Sequence, residues 1–320
     1  MAELRKLVVS FDLPAVYVDR IRRAYPDLVV VVVPERDRLP EALDGAQALF
    51  GWGLTSDLLA RASELRWVQA MGAGVDGLLF PELVASDVVV TNNSGIHASN
   101  MAEHVLAMML AFARGLPELL RWQTRHEWRQ TEEGVFEIGG QTLAILGLGD
   151  IGQALARRAA GLDMRVLGMR RRVEGAAPTG VQGIYRQDQL HELLELADHV
   201  AICLPLTAST RNLIGAAELA AMRSSAYLYN VGRGAIVDQD ALVTALQRGE
   251  IRGAGLDVTT PEPLPPESPL WDLPNVMITS HTSGLTPYYW DRALDILLTN
   301  IGRFRRDEVL MNIVDKQEGY

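Results

Sequence analysis

One cysteine, Cys203, stands in a chain of 320 residues. It excludes an internal disulfide framework and any multi-cysteine zinc site. It fits a reducing compartment, so the expected location is cytoplasmic. No apolar run is long enough to span a bilayer. The opening MAELRKLVVSFDLP breaks after three apolar residues, far short of a secretory signal core. No membrane role is expected. Basic residues are outnumbered, 30 against 40, and the net charge of −10 leaves no global field for holding nucleic acid. No short-period repeat or low-complexity tract is present. No group of His, Asp and Glu has metal-ligand spacing, so no metal is expected. What remains is 48% apolar and 22% charged, with a mean hydropathy of +0.06. That composition belongs to a globular chain with a large core, and its length suggests two domains.

Short apolar runs alternate with longer amphipathic stretches. Leu7–Phe11, Leu28–Val33, Ala46–Phe50, Trp67–Gln69 and Val88–Thr91 read as strands. Pro14–Ala24 and Ser56–Ser63 read as helices between them. A long apolar helix over Ser99–Gly115 and a second from Pro117 to about His126 interrupt the pattern. A new series of strands follows at Thr142–Leu146, Met164–Met169, Val200–Leu204, Tyr227–Val231, Gly253–Asp257 and Val276–Ser280. Strand–helix alternation of this kind predicts parallel sheets covered by helices on both faces. The proline-rich stretch Pro261–Pro269 predicts a loop. The last helix, Pro287–Arg305, follows the second series, so the first domain is expected to draw on both ends of the chain.

The strand ending at Leu146 runs into Gly147-Leu-Gly149-Asp-Ile-Gly152, and a helix begins at once. This is a G-x-G-x-x-G turn in the setting that gives it meaning. Gly147 permits the tight turn, Gly149 lets a pyrophosphate approach the backbone, and Gly152 lets helix and strand pack closely. The helix N-terminus offers free N–H groups to the phosphates. The next strand, MRVLGM, ends in Arg170, Arg171 and Arg172, where an acid would bind the ribose hydroxyl of NAD. Three guanidiniums favour a 2′-phosphate, so NADP(H) is the expected cofactor and NAD(H) the second choice.

Four motifs together resemble the D-2-hydroxyacid dehydrogenase family, and more narrowly its glyoxylate/hydroxypyruvate reductases. They are Met71-Gly72-Ala73-Gly74-Val75-Asp76, the turn Gly147–Gly152, Asn230-Val231-Gly232-Arg233-Gly234, and the closing set. That set is Gly255-Leu256-Asp257-Val258, Glu262-Pro263-Leu264 and His281-Thr282-Ser283-Gly284. The resemblance spans nearly the whole chain. It implies an α/β fold of two Rossmann-like, doubly wound parallel-sheet domains with an active-site cleft between them. Residues 1–95 with 285–320 would form the substrate domain and 96–284 the dinucleotide domain. It implies a homodimer, with the helices around Ser99–His126 in the interface. It places the cofactor along Gly147, Gly149, Asp150, Ile151 and Gly152, with the three arginines beyond them. Leu204, Pro205, Val231 and Gly232, then Arg233, Asp257, His281 and Gly284, complete that surface. Trp52 and Met71–Val75 would face the substrate with Arg233 and His281.

Residue chemistry agrees with such a role. Reducing a small 2-oxo acid needs a hydride donor, a proton donor and a carboxylate anchor. His281 is the acid/base candidate, Glu262 would orient it, and Arg233 would bind carboxylate and polarise the carbonyl. Backbone amides of Gly72–Val75 form a second cradle. His97 and His104 read as helix-start and interface residues. Tyr288, Tyr289 and Trp290 suit either a substrate mouth or hinge packing. No added regulatory domain is expected. A dinucleotide-sensing scaffold resembling the C-terminal-binding-protein corepressors is the alternative, although the chain shows no tail of that kind.

Overall fold

The computed structural model describes residues 4–130, 134–171, 173 and 175–320. It divides into two units, residues 1–96 with 286–320 and residues 97–285.

The first unit is built on β1 (Lys6–Val9), β2 (Val29–Val32), β3 (Ala48–Phe50), β4 (Trp67–Gln69) and β5 (Val89–Thr91). All pair in parallel, in the order β2-β1-β3-β4-β5. Alternate residues of each strand point to opposite faces. Val8, Leu49, Val68 and Val90 therefore share one core, which α2 (Leu39–Leu43), α3 (Ser56–Arg61) and α4 (Pro81–Ala85) cover. Leu7, Val9, Ala48, Phe50 and Trp67 face the other way. There they meet Val18 and Ile21 of α1 (Ala15–Ala24).

The second unit opens with α5 (Ala98–Ala113) and α6 (Leu116–Thr124). Its sheet contains β6 (Thr142–Leu146), β7 (Arg165–Met169), β8 (Gly183–Tyr185) and β9 (His199–Ile202), then β10 (Tyr227–Asn230), β11 (Gly253–Leu256) and β12 (Val276–Ile278). The order is β12-β11-β10-β9-β6-β7-β8, all parallel. This is the Rossmann order with one strand added, and it reverses between β6 and β9. Strands β6, β9, β10 and β11 are buried at every residue, as a sheet covered on both faces requires. One layer joins Leu143, Ile145 and Tyr229 to α5 and to α7 (Asp150–Ala160). The other joins Leu146, Ile202 and Leu228 to α8 (Leu190–Leu196), α9 (Ala216–Ala221) and α10 (Gln239–Arg248). The chain then returns to the first unit as α11 (Tyr289–Arg305), whose Leu294, Leu297 and Ile301 complete the core under α1.

Strands β1, β9 and β12 each stop two residues before the ends read from sequence, at Val9, Ile202 and Ile278. At β12, Thr279 N still donates to Leu256 O at 2.9 Å, and the chain then turns so that His281 N reaches Asp257 O. Edge strand β8 was not expected. Only three residues long and half-buried, it carries no apolar run of its own.

His199 opens β9 and is fully buried between the Tyr229 hydroxyl, 3.1 Å from Nδ1, and Gln141 Oε1, 2.6 Å from Nε2. Burial pushes its pKa down to about 4, against a smaller upward pull from Asp198. The folded protein refuses a proton that the unfolded chain accepts below about 6.5. Its contribution is therefore whole above that pH and is lost as pH falls towards 4, reaching about 3 kcal/mol. Urea unfolding should show the stability gap between wild type and His199→Gln narrowing from pH 7 to pH 4. A gap independent of pH would contradict the assignment.

Candidate active site

Every residue assigned to the cofactor lies at the C-terminal edge of the second sheet, apart from Arg172, which falls outside the described residues. Gly147 follows β6, and Leu204 and Pro205 follow β9, on the two sides of the point where strand order reverses. Gly147 has φ +103, and a Cβ on it would lie 2.8 Å from Cys203 O. A Cβ on Gly152 would lie 2.0 Å from Gly147 O, so helix α7 can start this close to the strand only through glycine. A Cβ on Gly149 would meet nothing within 4 Å. That open space, at the N-terminus of α7 with Asp150 and Ile151 in its first turn, fits a pyrophosphate. Arg170 follows β7 and turns one guanidinium nitrogen to the carbonyls of Val173 and Gly175, both at 3.4 Å. Arg171 is exposed.

Arg233 follows β10. Asn230 holds its backbone by donating to Arg233 O at 3.0 Å and accepting from Gly232 N at 3.0 Å, and Val231 lies buried between them. Glu262 accepts the N–H of Thr259 through Oε1 at 3.0 Å, which aims Oε2 at His281 Nδ1, 2.8 Å away. With Nδ1–H committed to the carboxylate, Nε2 is the nitrogen available to a substrate. His281 is half exposed. Its φ is +53, in the left-handed region that disfavours a residue with a Cβ, so its surroundings must hold it there.

Those surroundings centre on Asp257, at the end of β11. Its carboxylate takes Thr279 Oγ1 at 2.6 Å and the N–H groups of Thr282 and Ser283 at 2.9 and 3.1 Å. Its carbonyl takes the N–H of His281 at 2.8 Å. Burial alone would raise its pKa, but bonds from Ser283, Thr279 and Thr282 outweigh burial and hold it below the ordinary carboxylate value. Gly284 O accepts from His97, the residue that starts α5. His104 is partly exposed, and its Nε2 sits 2.9 Å from Thr279 Oγ1 within the unit.

In the first unit, Trp52 follows β3 and Met71–Val75 follows β4. Three carbonyls of this turn are held by Asn92, Asn93 and Tyr289. Met71 O accepts from Asn93 Nδ2 at 2.6 Å and from the Tyr289 hydroxyl. Gly72 O accepts from Asn93 N at 3.0 Å, and Ala73 O from Asn92 Nδ2 at 2.8 Å. The N–H groups of Gly72, Ala73, Gly74 and Val75 have no acceptor among the described residues. A run of outward N–H groups with their carbonyls held back is an anion-accepting arrangement. Trp290 stacks on Phe11, with ring centroids 5.3 Å apart, and Tyr289 braces the turn, so both serve packing in this unit. Sequence reasoning assigned no role to Asn92, Asn93, Asn230, Thr259 or Thr279, and read His104 only as an interface residue. Asn230 alone carried a signal, as the first residue of the arginine motif.

Among the described residues no group of three His, Cys, Asp or Glu side chains is placed to hold a metal, and no helix is long and apolar enough to cross a membrane.

Comparison with known proteins agrees with this geometry. Residues 106–283 match the model of the D-isomer specific 2-hydroxyacid dehydrogenase NAD-binding domain. Glyoxylate/hydroxypyruvate reductase B of Pectobacterium carotovorum is 39% identical over 264 residues, covering 79% of this chain and 82% of the relative. A D-isomer specific 2-hydroxyacid dehydrogenase from Xanthobacter autotrophicus, solved with NADPH and MES, superimposes with a TM-score of 0.86. It is 32% identical, and the match covers 99% of this chain and 100% of that one. An NADPH-dependent glyoxylate/hydroxypyruvate reductase from Sinorhizobium meliloti, solved with NADP and sulfate, gives a TM-score of 0.85 at 30% identity over 99% of this chain and all of that one. On the matched domain and on these identities over 79% to 99% of its length, the chain belongs to the D-isomer specific 2-hydroxyacid dehydrogenase family of oxidoreductases.

Proposed function

We propose that the protein reduces a small 2-oxo acid, glyoxylate, hydroxypyruvate or a close relative, to the D-2-hydroxy acid with NADP(H). The observation that carries this reading is the placing of Arg233, the Glu262–His281 pair and the glycine turn on one edge of one sheet. The relatives named as reductases of these acids support it, and nothing favours the scaffold alternative. The bound nicotinamide supplies the hydride. Arg233 binds the substrate carboxylate and draws electron density onto the carbonyl oxygen through paired N–H donors. His281 holds the proton at Nε2 and gives it to that oxygen as the carbonyl carbon is reduced. Its exposure lets solvent restore the proton. Glu262 fixes the ring's orientation and tautomer. The amides of Gly72–Val75 give the first unit an anion-accepting turn, which supports reading it as the substrate domain.

Preference for NADP(H) rests on Arg170 and Arg171, and on the NADPH and NADP complexes of two relatives. A panel of 2-oxo acids followed at the nicotinamide absorbance should give kcat/KM about ten-fold or more higher with NADPH, worth about 1.4 kcal/mol. Arg171→Ala should weaken NADPH use more than NADH use. Equal use of NADH by the wild type would remove the preference.

Leu116, Leu120 and Trp128 are exposed on and just after α6, a face suited to a homodimer. A monomeric mass in sedimentation would remove that assignment. We place the protein in the cytoplasm on its single cysteine, which cell fractionation checks.

A further inference from the structure

Gly255 draws helix α5 onto the sheet. A Cβ there would lie 2.8 Å from Met108 Sδ and 3.0 Å from the Tyr229 ring, so the helix can lie this close only over glycine. His104 stands one turn before Met108 on the same face, and helical side chains lean towards the N-terminus. It is thereby delivered to the ends of β11 and β12, with Nε2 2.9 Å from Thr279 Oγ1 and 3.8 Å from Asp257 Oδ1. The direction of each bond follows from donor capacity. The Asp257 carboxylate only accepts, so Thr279 gives it its one hydroxyl proton across 2.6 Å. The Thr279 oxygen must then accept from His104 Nε2–H. Asp257 in turn carries the backbone of Thr282 and Ser283 on its carboxylate and that of His281 on its carbonyl. His281 sits at φ +53 within this stretch.

We propose that His104 is a positioning residue for His281, acting through Thr279 on the carboxylate of Asp257 that anchors the Thr279–Ser283 turn. The proposal rests on the reading of His281 as the proton donor and adds to it a residue on another element that touches neither substrate nor reacting atoms.

The test is a set of four single variants and one double, assayed in the full chain. Thr279→Val keeps the shape and removes both bonds, while Thr279→Ser keeps them. His104→Leu removes the donor, while His104→Gln retains an N–H at similar reach. Thr279→Val and His104→Leu should each lower kcat roughly 10-fold, the order of one lost hydrogen bond to a charged network. KM for the 2-oxo acid and the dissociation constant for NADPH should stay within about two-fold, since Arg233, the Gly72–Val75 amides and the glycine turn are untouched. Thr279→Ser and His104→Gln should recover most of kcat. The His104→Leu/Thr279→Val double variant should be no slower than the slower single, because both cut one chain. Multiplying losses, no recovery in the conservative variants, or a change in KM with kcat intact would each overturn the proposal. Should His104→Leu fail to fold, the Thr279→Val and Thr279→Ser pair decides alone. His281→Ala separates the two levels. If it is inactive while Thr279→Val and His104→Leu are normal, only this proposal falls. If it turns over normally, the proton-donor reading falls first.

Discussion

His281→Ala is expected to lower kcat for 2-oxo acid reduction by about 10²–10⁴-fold, the usual worth of a positioned general acid. Affinity for NADPH should hardly change, because the phosphates are assigned to the glycine turn and the ribose phosphate to the arginines after β7. The pH response has a definite sign. Reduction needs the imidazolium as donor, and oxidation of the hydroxy acid needs the neutral ring as acceptor. Rising pH should therefore depress reduction and favour oxidation in the wild type, and both responses should flatten in the variant. Glu262→Gln keeps a group that can face Nδ1 but removes the negative charge 2.8 Å away. Its loss of kcat should be smaller than that of His281→Ala, because the ring stays in place while its orienting charge is gone. Near-normal turnover and an unchanged pH profile in His281→Ala would remove the assignment.

Arg233→Ala should lower kcat/KM by about 10²–10³-fold, the range seen when one preorganised donor to a developing oxyanion is lost. The pattern should differ from that of His281. Arg233 is assigned to the ground-state carboxylate and also to the oxygen that gains charge, so KM should rise as kcat falls. Arg233→Lys should recover little, because an ammonium cannot present the planar fork that reaches both oxygens. Steady-state kinetics with one substrate at saturating NADPH checks both variants. A loss confined to KM would restrict Arg233 to carboxylate binding. An unchanged KM would remove it from the carboxylate.

Local signals carried much of the molecule. Apolar runs such as LAIL in β6 and VAI in β9 are legible because both faces of a parallel sheet are buried, and the glycine turn is legible because its spacing answers a steric need within six residues. Glu262 and His281 could be named from their motifs, although the sequence does not contain the 2.8 Å between them. The unread parts depend on partners far apart in the chain. His104 bonds Thr279 across 175 residues, and nothing near His104 distinguishes it from any polar residue on an amphipathic helix. Tyr289 and Met71 meet across 218 residues, so the brace behind the Met71–Val75 turn was invisible, and the aromatics there suited a mouth or hinge packing equally. Strand β8 was missed for another reason: its three half-buried residues owe their extended form to pairing with β7, not to their own pattern.

The second unit is an insertion in the first, and this has a consequence for how the chain is made. On a ribosome, residues 1–96 emerge first but lack α11, whose Leu294, Leu297 and Ile301 fill the core under α1. They also lack Asn300, which donates to Gln69 Oε1 at 3.1 Å in a buried polar cluster and there joins the hydroxyl of Thr91. Until α11 arrives, that cluster stays incomplete and one apolar face of the sheet stays open. Residues 97–285 have all seven of their strands before any of α11 is synthesised. Nascent chains halted after residue 285 should accordingly hold a protease-resistant second unit and a first unit that is still readily cut.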